Sequence, residues 1–286
     1  MNSIETYQYK LIYFKEVINL SSIGFIGVGN MGEAMAKAIQ KTGEHKIWIY
    51  DINKGCYTKF DDDVINKAQS IQEVIENTKY VVLSVKPQYY KVVCEQIRSL
   101  INNHIIITVA PSVTLSDVKE LLGENTKVIR TMPNTPALVN SGVTAYCYDS
   151  NDVNEEEINI FIKLFECFGM VVKLEEHLME AAVATTGSSP AYAYMFIEAM
   201  ADASVSFGIP RSMAYEMAAM AIKGACEMIL STKKHPGELK DAVTSPGGTT
   251  IKAVAKLEET GFRSSVISAM EACYNRALEM GNRGAK

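Results

Sequence analysis

The chain is poor in the residues that build disulfide frameworks and metal sites. It contains six cysteines and four histidines in 286 residues, and no Cys-x-x-Cys pair occurs. The cysteines are spread along the chain and mostly stand in apolar runs, as the reduced thiols of a cytoplasmic protein do. The scattered histidines have no spacing that would suit a metal ion. We therefore expect no disulfide, no metal and a cytoplasmic location.

Excess positive charge and long hydrophobic runs are missing as well. The net charge is −5, and the sequence supplies no basic stripe that would neutralise nucleic-acid phosphates. The most apolar helical segment, residues 191–207, carries Glu198 and Asp202, which excludes a membrane span. We expect no nucleic-acid or membrane partner. An anionic ligand must then be held by local features such as helix N-termini or single lysines.

A glycine-rich stretch is the most informative motif that is present. A buried strand is predicted over residues 22–26, and Gly-x-Gly-x-x-Gly follows at Gly27, Gly29 and Gly32, where a helical spacing begins. These glycines suit a tight turn, close approach of the backbone to a pyrophosphate, and close packing of helix on strand. Asp51 ends a second strand nineteen residues after Gly32. We predict a dinucleotide site; the alternative is a glycine-rich turn in an unrelated α/β protein.

Strand and helix patterns alternate as far as residue 174 and predict parallel β-α-β units. The loops that follow the strands then open on one edge of the sheet, where ligands bind. After Glu175 only helical patterns remain. We predict an α/β protein with an N-terminal extension (residues 1–20), a Rossmann-type dinucleotide-binding domain (residues 21–175) and an all-α domain (residues 176–286).

The segment over residues 191–207 is apolar around most of its circumference if it is helical. A small all-α domain buries such a helix best by pairing with a second copy of itself. We predict a homo-oligomer with intertwined helical domains. The alternative is the central helix of a monomeric bundle.

A second glycine stretch occurs at residues 244–250, which read TSPGGTT. Two glycines let the backbone curl, and a helix that begins at Thr249 would point its unpaired N–H groups into the curl. Such a nest binds a carboxylate or a phosphate, and the neighbouring hydroxyl groups suit a small polar ligand. The alternative is that Ser245 or Thr249 is only the N-cap of the helix.

Four stretches, in this order, resemble motifs of the pyrroline-5-carboxylate reductases, the last enzymes of proline synthesis. They are residues 85–88, 132–137, 186–192 and 245–264. The resemblance implies a Rossmann-type domain and a helical dimerisation domain, with dimers commonly assembled into a decamer. It also implies reduction of the cyclic imine 1-pyrroline-5-carboxylate to L-proline, with hydride from NADPH or NADH.

The resemblance and the glycine motif together imply the residues of the site. The candidates for cofactor binding are Gly27, Val28, Gly29, Asn30, Met31, Gly32, Asp51, Asn53, Lys54, Val85, Lys86, Pro87, Asn134 and Pro136. The candidates for substrate binding are Ser245, Gly248, Thr249 and Thr250. Thr250 is also the candidate catalytic residue, because it matches the family position whose hydroxyl hydrogen-bonds the ring nitrogen of the substrate.

The choice of cofactor stays open at this point. An acidic residue such as Asp51 accepts hydrogen bonds from the ribose 2′-hydroxyl and repels a 2′-phosphate, which favours NADH. Asn53 and Lys54 follow at once and could hold that phosphate, as some members of the family do with residues just after this strand. Lys86 is interpreted as a cation near the cofactor phosphates or ribose in preference to a general acid.

Two other functions compete with this interpretation. The glycine stretch also resembles the opening of β-hydroxyacid dehydrogenases, but these enzymes carry a catalytic lysine where this chain has residues 186–192, which contain none. A nucleotide sensor without catalytic activity would not need the intact loop at residues 244–250.

Overall fold

The computed structural model describes residues 22–60 and 65–284. The predicted extension over residues 1–20 lies outside this part of the chain. Contacts between Cα atoms divide the described residues into two compact units. The first contains residues 22–60, 65–187 and 274–284, and the second contains residues 188–273. The domain boundary near residue 175 stays a prediction.

The described strands of the first unit form one eight-stranded sheet. Their bounds are β1 Ser22–Ile26, β2 Lys46–Tyr50, β3 Ile65–Lys67, β4 Tyr80–Leu83, β5 Ile105–Thr108, β6 Lys127–Met132, β7 Gly142–Tyr148 and β8 Gly169–Lys173. The order across the sheet is β3-β2-β1-β4-β5-β6-β7-β8. Neighbouring strands are parallel except for β6 and β7. The predicted α/β class is therefore confirmed.

Helices bury the sheet between two apolar layers. The helices of this unit are α1 Asn30–Gln40, α2 Ile71–Asn77, α3 Tyr90–Ile97, α4 Leu115–Leu122, α5 Glu155–Glu166 and the short α6 Met179–Ala182. α1 and α5 supply residues to one core cluster, and α2, α3 and α4 to the other. Successive strand residues alternate between the clusters, as Val81 and Val82 do, because strand side chains point to opposite faces in turn.

Two details of this unit depend on a few residues each. Helix α5 begins at Glu155, because Asn154 caps it and forms a capping box with Glu157. The three-residue strand β3 was not predicted, since it is too short to show alternation; it pairs with β2, and its Ile65 is buried in the core.

Glu157 joins the start of α5 to the sheet, and its ionisation supports the fold. Its carboxylate lies 2.7 Å from Nζ of Lys127 and 3.2 Å from Nζ of Lys79. Burial by itself would raise the pKa of Glu157, but the hydrogen bond from Lys127 and those from Asn154 and Lys79 lower it below its ordinary value. Because the pKa is lowered on folding, this stabilisation is complete at neutral pH and is lost as the pH falls through the lowered pKa.

We therefore expect Glu157→Gln to lower the free energy of unfolding by about 1.5 to 3 kcal/mol at pH 7, the typical value for hydrogen bonds to a charged group. The deficit should shrink as the pH falls below about 4, where the wild-type carboxyl also becomes neutral. Urea unfolding at pH 7 and at a pH below about 4 measures this difference in the free energy of unfolding. Glu156→Gln, on the exposed neighbour in the same helical turn, is the control, and equal stability of the two variants at pH 7 would contradict the assignment.

The second unit is helical. Its helices are α7 Ser189–Ser206, α8 Arg211–Thr232, α9 Pro236–Ala242, α10 Thr249–Glu259 and α11 Phe262–Gly284, the last of which continues into the first unit. α7 packs against α8. No helix of the described residues has the length and apolar character that a membrane crossing requires.

Candidate active site

The loop between β1 and α1 requires glycine at two of its three glycine positions. Gly27 has a φ of +93°, and a Cβ there would lie 2.9 Å from the Ser84 carbonyl oxygen. A Cβ on Gly32 would lie 2.4 Å from the Gly27 carbonyl oxygen, so α1 begins in close contact with the turn. The Gly27 N–H donates to the Tyr50 carbonyl at 2.7 Å and ties the loop to the end of β2.

Gly29 differs, because the fold does not require glycine there. Its φ of −65° suits any residue, and beyond its chain neighbours no heavy atom of the described chain lies within 4 Å of where a Cβ would be. Gly29 is the N-cap of α1, and no side chain caps this helix. The N–H groups of Asn30, Met31 and Gly32 belong to the first turn and have no intrahelical acceptor. An open glycine beside unpaired helix amides fits a dinucleotide pyrophosphate.

Asp51 connects the end of β2 to this loop. Its Oδ2 accepts the Val28 N–H at 2.8 Å, and its Oδ1 accepts the Asn53 N–H at 2.8 Å. The carboxylate is half-buried. Each of its oxygens has a second lone-pair site, so it can still accept a hydrogen bond from a ribose hydroxyl.

Lys54 begins the 3₁₀ segment Lys54–Lys59 that follows, and Asn53 is its N-cap. The side chains of both residues contact nearby parts of the chain. The Lys54 ammonium donates to the Tyr57 hydroxyl at 2.9 Å and to the Ala68 carbonyl at 3.2 Å. It also lies 4.3 Å from the centre of the Tyr50 ring. The Asn53 side chain accepts the Gly55 N–H at 3.1 Å and caps the segment. These contacts hold the Lys54 ammonium against β2 and the segment after β3.

The stretch after β4 lies beside the same loop. Val85 packs on Gly27, since its Cγ1 is 3.0 Å from where a Gly27 Cβ would be. Lys86 is exposed and precedes the 3₁₀ turn Pro87–Tyr89, which begins with proline. The structure thus brings Val85 together with the glycine loop and Asp51.

Asn134 occupies a buried position in the loop after β6. Its side-chain N–H donates to the Thr186 carbonyl at 2.9 Å, and its side-chain oxygen accepts the Val143 N–H at 2.9 Å. Pro136 belongs to the turn Thr135–Val139, which packs against α1. Both side-chain groups of Asn134 are therefore hydrogen-bonded to the backbone. They join the motif stretch at residues 132–137 to Thr186, the first residue of the stretch at residues 186–192, which lies in the π-helix Val183–Gly187.

Arg130 was not among the residues predicted for the site, and the structure places it in a buried ion-pair network. It is 2% exposed on β6, and its guanidinium donates to Glu180 at 2.7 Å, to the Pro111 carbonyl at 2.8 Å and to Glu176 at 3.4 Å. Glu176 also accepts the Leu115 N–H at 2.8 Å. The one available signal was a charged residue in the interior of the strand, next to Val128 and Ile129. The network anchors the segment that leads to Thr186.

The buried cysteines contribute no nucleophile. Burial raises the pKa of Cys94 and of Cys147 to about 12. Both thiols are therefore neutral at physiological pH.

The second predicted site lies at the start of α10. Gly247 has a φ of +70°, and the Gly248 N–H donates to the Ser245 carbonyl at 3.1 Å, which closes the curl. Gly248 is the N-cap, and no side chain caps the helix. The alternative that Ser245 or Thr249 serves as the cap is therefore wrong. The amides of the first turn face outward without an intrahelical acceptor.

The hydroxyl groups around this curl are exposed. Ser245, Thr249 and Thr250 make no side-chain hydrogen bond within the described residues, and all three are exposed. The structure thus gathers the four predicted substrate residues at one helix start in the second unit. The predicted cofactor residues all lie in the first unit.

The helices of the second unit expose large apolar side chains. Tyr194 and Met195 on α7 are 62% and 70% exposed, and Ala201 is the one fully buried residue of that helix. Met217 and Met220 on α8 are 52% and 67% exposed. These exposures argue against a central helix of a monomeric bundle.

Two family models match consecutive parts of the chain. Residues 22–112 match the model described as NADP oxidoreductase coenzyme F420-dependent. Residues 176–280 match the model described as pyrroline-5-carboxylate reductase dimerisation, so the chain carries a dimerisation domain and forms a homo-oligomer.

Two sequence relatives and one solved structure match this chain over nearly their whole length. The pyrroline-5-carboxylate reductase of Escherichia coli is 43% identical over 90% of this chain and 97% of its own, and that of Glycine max is 37% identical over 91% and 96%. The Plasmodium falciparum pyrroline carboxylate reductase, solved with NADP bound, superposes with a TM-score of 0.83 at 29% identity, covering 92% of this chain and 99% of its own. The chain belongs to the pyrroline-5-carboxylate reductase family.

Proposed function

We propose that this protein reduces the C=N bond of 1-pyrroline-5-carboxylate to give L-proline, with hydride from NADPH or NADH, as the last step of proline biosynthesis. One observation carries the proposal. Two helices, α1 and α10, each begin at a glycine that leaves the first-turn amides without a side-chain cap. Each such helix start binds an anion, and the reaction needs two: the cofactor pyrophosphate and the substrate carboxylate.

The first unit holds the cofactor in this proposal. The amides of residues 29–32 bind the pyrophosphate, while the Val28 N–H stays with Asp51. Asp51 lies at the end of β2, where the adenosine ribose binds in this type of domain. Val85, Lys86, Pro87, Asn134 and Pro136 line the side of the nicotinamide ribose. Lys86 is exposed and serves as a cation beside the cofactor. The bound nucleotide supplies the hydride.

The second unit holds the substrate. The backbone amides of Thr249 and Thr250 bind its carboxylate, aided by the Ser245 hydroxyl, while the Gly248 N–H closes the curl by donating to the Ser245 carbonyl. The Thr250 hydroxyl then hydrogen-bonds the ring nitrogen and orients the imine. The absence of a hydrogen bond from this hydroxyl to the described chain supports the role, since the group is available to a ligand.

The chemistry needs placement more than it needs a strong acid. A protonated imine already accepts hydride well, so the protein has to hold the ring carbon about 3 to 3.5 Å from the hydride donor and keep it there. Fixed amides and one neutral hydroxyl do this without a charged side chain.

The proposed assembly is a homodimer formed through the helical domain, with dimers further assembled into a decamer. The exposed apolar side chains of α7 and α8 support pairing between copies. None of the six cysteines forms a disulfide bond, which supports a cytoplasmic location for the reaction.

We expect Thr250→Ala to lower kcat/KM for 1-pyrroline-5-carboxylate by about ten- to a hundredfold. The lost hydrogen bond to a charged partner is worth about 1.5 to 3 kcal/mol in the transition state. Steady-state kinetics of nucleotide oxidation measure it. Thr250→Ser keeps the hydroxyl and should retain most of the activity, while an unchanged kcat/KM in Thr250→Ala would refute the role.

A further inference from the structure

Two side chains of opposite charge follow β2, at the position that distinguishes NADH from NADPH. The two nucleotides differ by a phosphate on the adenosine ribose 2′-oxygen, which lies near the end of the second strand in this type of domain. Asp51 disfavours that phosphate, and Lys54 could favour it. The contacts of the two side chains decide which effect dominates.

Asp51 is held in a fixed position at the strand end. Each of its carboxylate oxygens accepts one backbone N–H, from Val28 and from Asn53, both at 2.8 Å. The half-buried carboxylate cannot turn away without losing both bonds. Its remaining lone-pair sites can accept a ribose hydroxyl, whereas a 2′-phosphate would bring a second negative charge against it.

Lys54 is held by contacts of its own. Its ammonium donates to the Tyr57 hydroxyl and the Ala68 carbonyl, and it lies 4.3 Å and 4.8 Å from the ring centres of Tyr50 and Tyr57. Reaching a phosphate would break two hydrogen bonds and two cation–π contacts.

Two further lysines near α1 are already paired. Lys37 and Lys59 both bind the Glu33 carboxylate, at 2.7 Å and 2.6 Å. The single Glu33 carboxylate balances one of the two positive charges and holds both ammonium groups, and no ion pair joins either lysine to Asp51 within the described residues. Neither of them compensates Asp51.

We infer that this protein selects NADH over NADPH, with Asp51 as the specificity-determining residue. The inference rests on the proposed function for the reaction itself. It concerns the nucleotide alone, so the binding of nucleotide tests it separately from turnover.

The test begins with the wild-type protein. We expect NADH to bind at least about tenfold more tightly than NADPH, as measured by titration of nucleotide fluorescence, and kcat/KM to differ in the same direction. Equal binding, or tighter binding of NADPH, would overturn the inference and leave the proposed reaction untouched. Tight binding of NADH without reduction of 1-pyrroline-5-carboxylate would overturn the proposed reaction and leave the inference standing.

Single substitutions test whether Asp51 causes the preference for NADH. Asp51→Asn removes the charge and keeps one acceptor, so NADPH should bind more tightly and the preference should fall to about threefold or less. The matched control is Glu44→Gln, which removes one exposed carboxylate just before the other end of β2 and should leave the ratio unchanged. An unchanged ratio in Asp51→Asn would overturn the assignment.

Lys54→Met tests the opposing possibility. If Lys54 stays with Tyr57 and Ala68 when nucleotide binds, the loss of its charge should weaken NADPH binding by less than about twofold relative to NADH binding. A selective loss of NADPH binding greater than about tenfold would show that Lys54 holds the 2′-phosphate and would overturn the inference.

Discussion

Replacing Gly29 by alanine is expected to weaken NADH and NADPH binding by about a hundredfold or more while the protein stays folded. A Cβ at this position would project into the open space beside the first turn of α1. The pyrophosphate would then be kept from the helix amides, and each lost hydrogen bond to a charged group is worth about 1.5 to 3 kcal/mol. Loss of two such bonds gives the expected factor.

The fold should tolerate this change. The φ of Gly29 is −65°, and no described heavy atom beyond the chain neighbours would be within 4 Å of the added carbon. Alanine is a poorer N-cap than glycine, but it also lowers the entropy of the unfolded chain, so we expect a net change in stability within about 1 kcal/mol. Nucleotide titration and urea unfolding of the same preparation measure the two effects.

Gly32→Ala is the contrasting variant. Its Cβ would lie 2.4 Å from the Gly27 carbonyl oxygen, so the contact between turn and helix would have to open. We expect this variant to lose about 1 to 3 kcal/mol of stability, as overpacked sites do. If Gly29→Ala bound nucleotide as well as the wild type, the pyrophosphate could not lie at this helix start.

Replacing Arg130 by methionine is expected to lower the free energy of unfolding by about 3 to 5 kcal/mol, the largest loss of stability that we predict. The guanidinium is 2% exposed and is the cationic partner of Glu176 and Glu180. The side chain of Glu180 is only 14% exposed, so its carboxylate would be left without its partner in a poorly solvated position. Urea unfolding at one fixed protein concentration measures the change, since oligomerisation makes apparent stability depend on concentration.

Two further variants separate the charge from its geometry. Arg130→Lys keeps the charge but cannot reach both carboxylates and the Pro111 carbonyl, so an intermediate loss is expected. Arg130→Met combined with Glu180→Gln should recover part of the stability, because the double variant no longer leaves an unpaired carboxylate at residue 180. If Arg130→Met were as stable as the wild type, the network would not support the fold.

The features that short stretches of sequence predicted correctly are local ones. The glycine loop and the strands around it depend on residues within a few positions of one another. Glycine spacing and capping side chains act over such distances, and an apolar strand covered on both faces shows its burial in its composition. The uncapped helix start at Gly248 was predicted from such a stretch as well, and the anion site there stays a prediction.

Other features depend on residues that meet only after folding. The antiparallel pairing of β7 with β6, the short β3 and the commitment of Asn134 to Thr186 and Val143 arise from pairing between distant segments. A local sequence pattern does not specify which distant segments will pair or contact one another.

The nucleotide site also combines features that the local sequence predicts with features that only the fold determines. The sequence alone identified Asp51 and Lys54 as the two groups that could distinguish the nucleotides, because their spacing from the glycine motif is a local property. The tertiary structure determines how each of them is held. Tyr57 and Ala68 hold the Lys54 ammonium, and the backbone N–H groups of Val28 and Asn53 hold the Asp51 carboxylate. A side chain's partners depend on where the fold brings other atoms, and that information is spread over the whole chain.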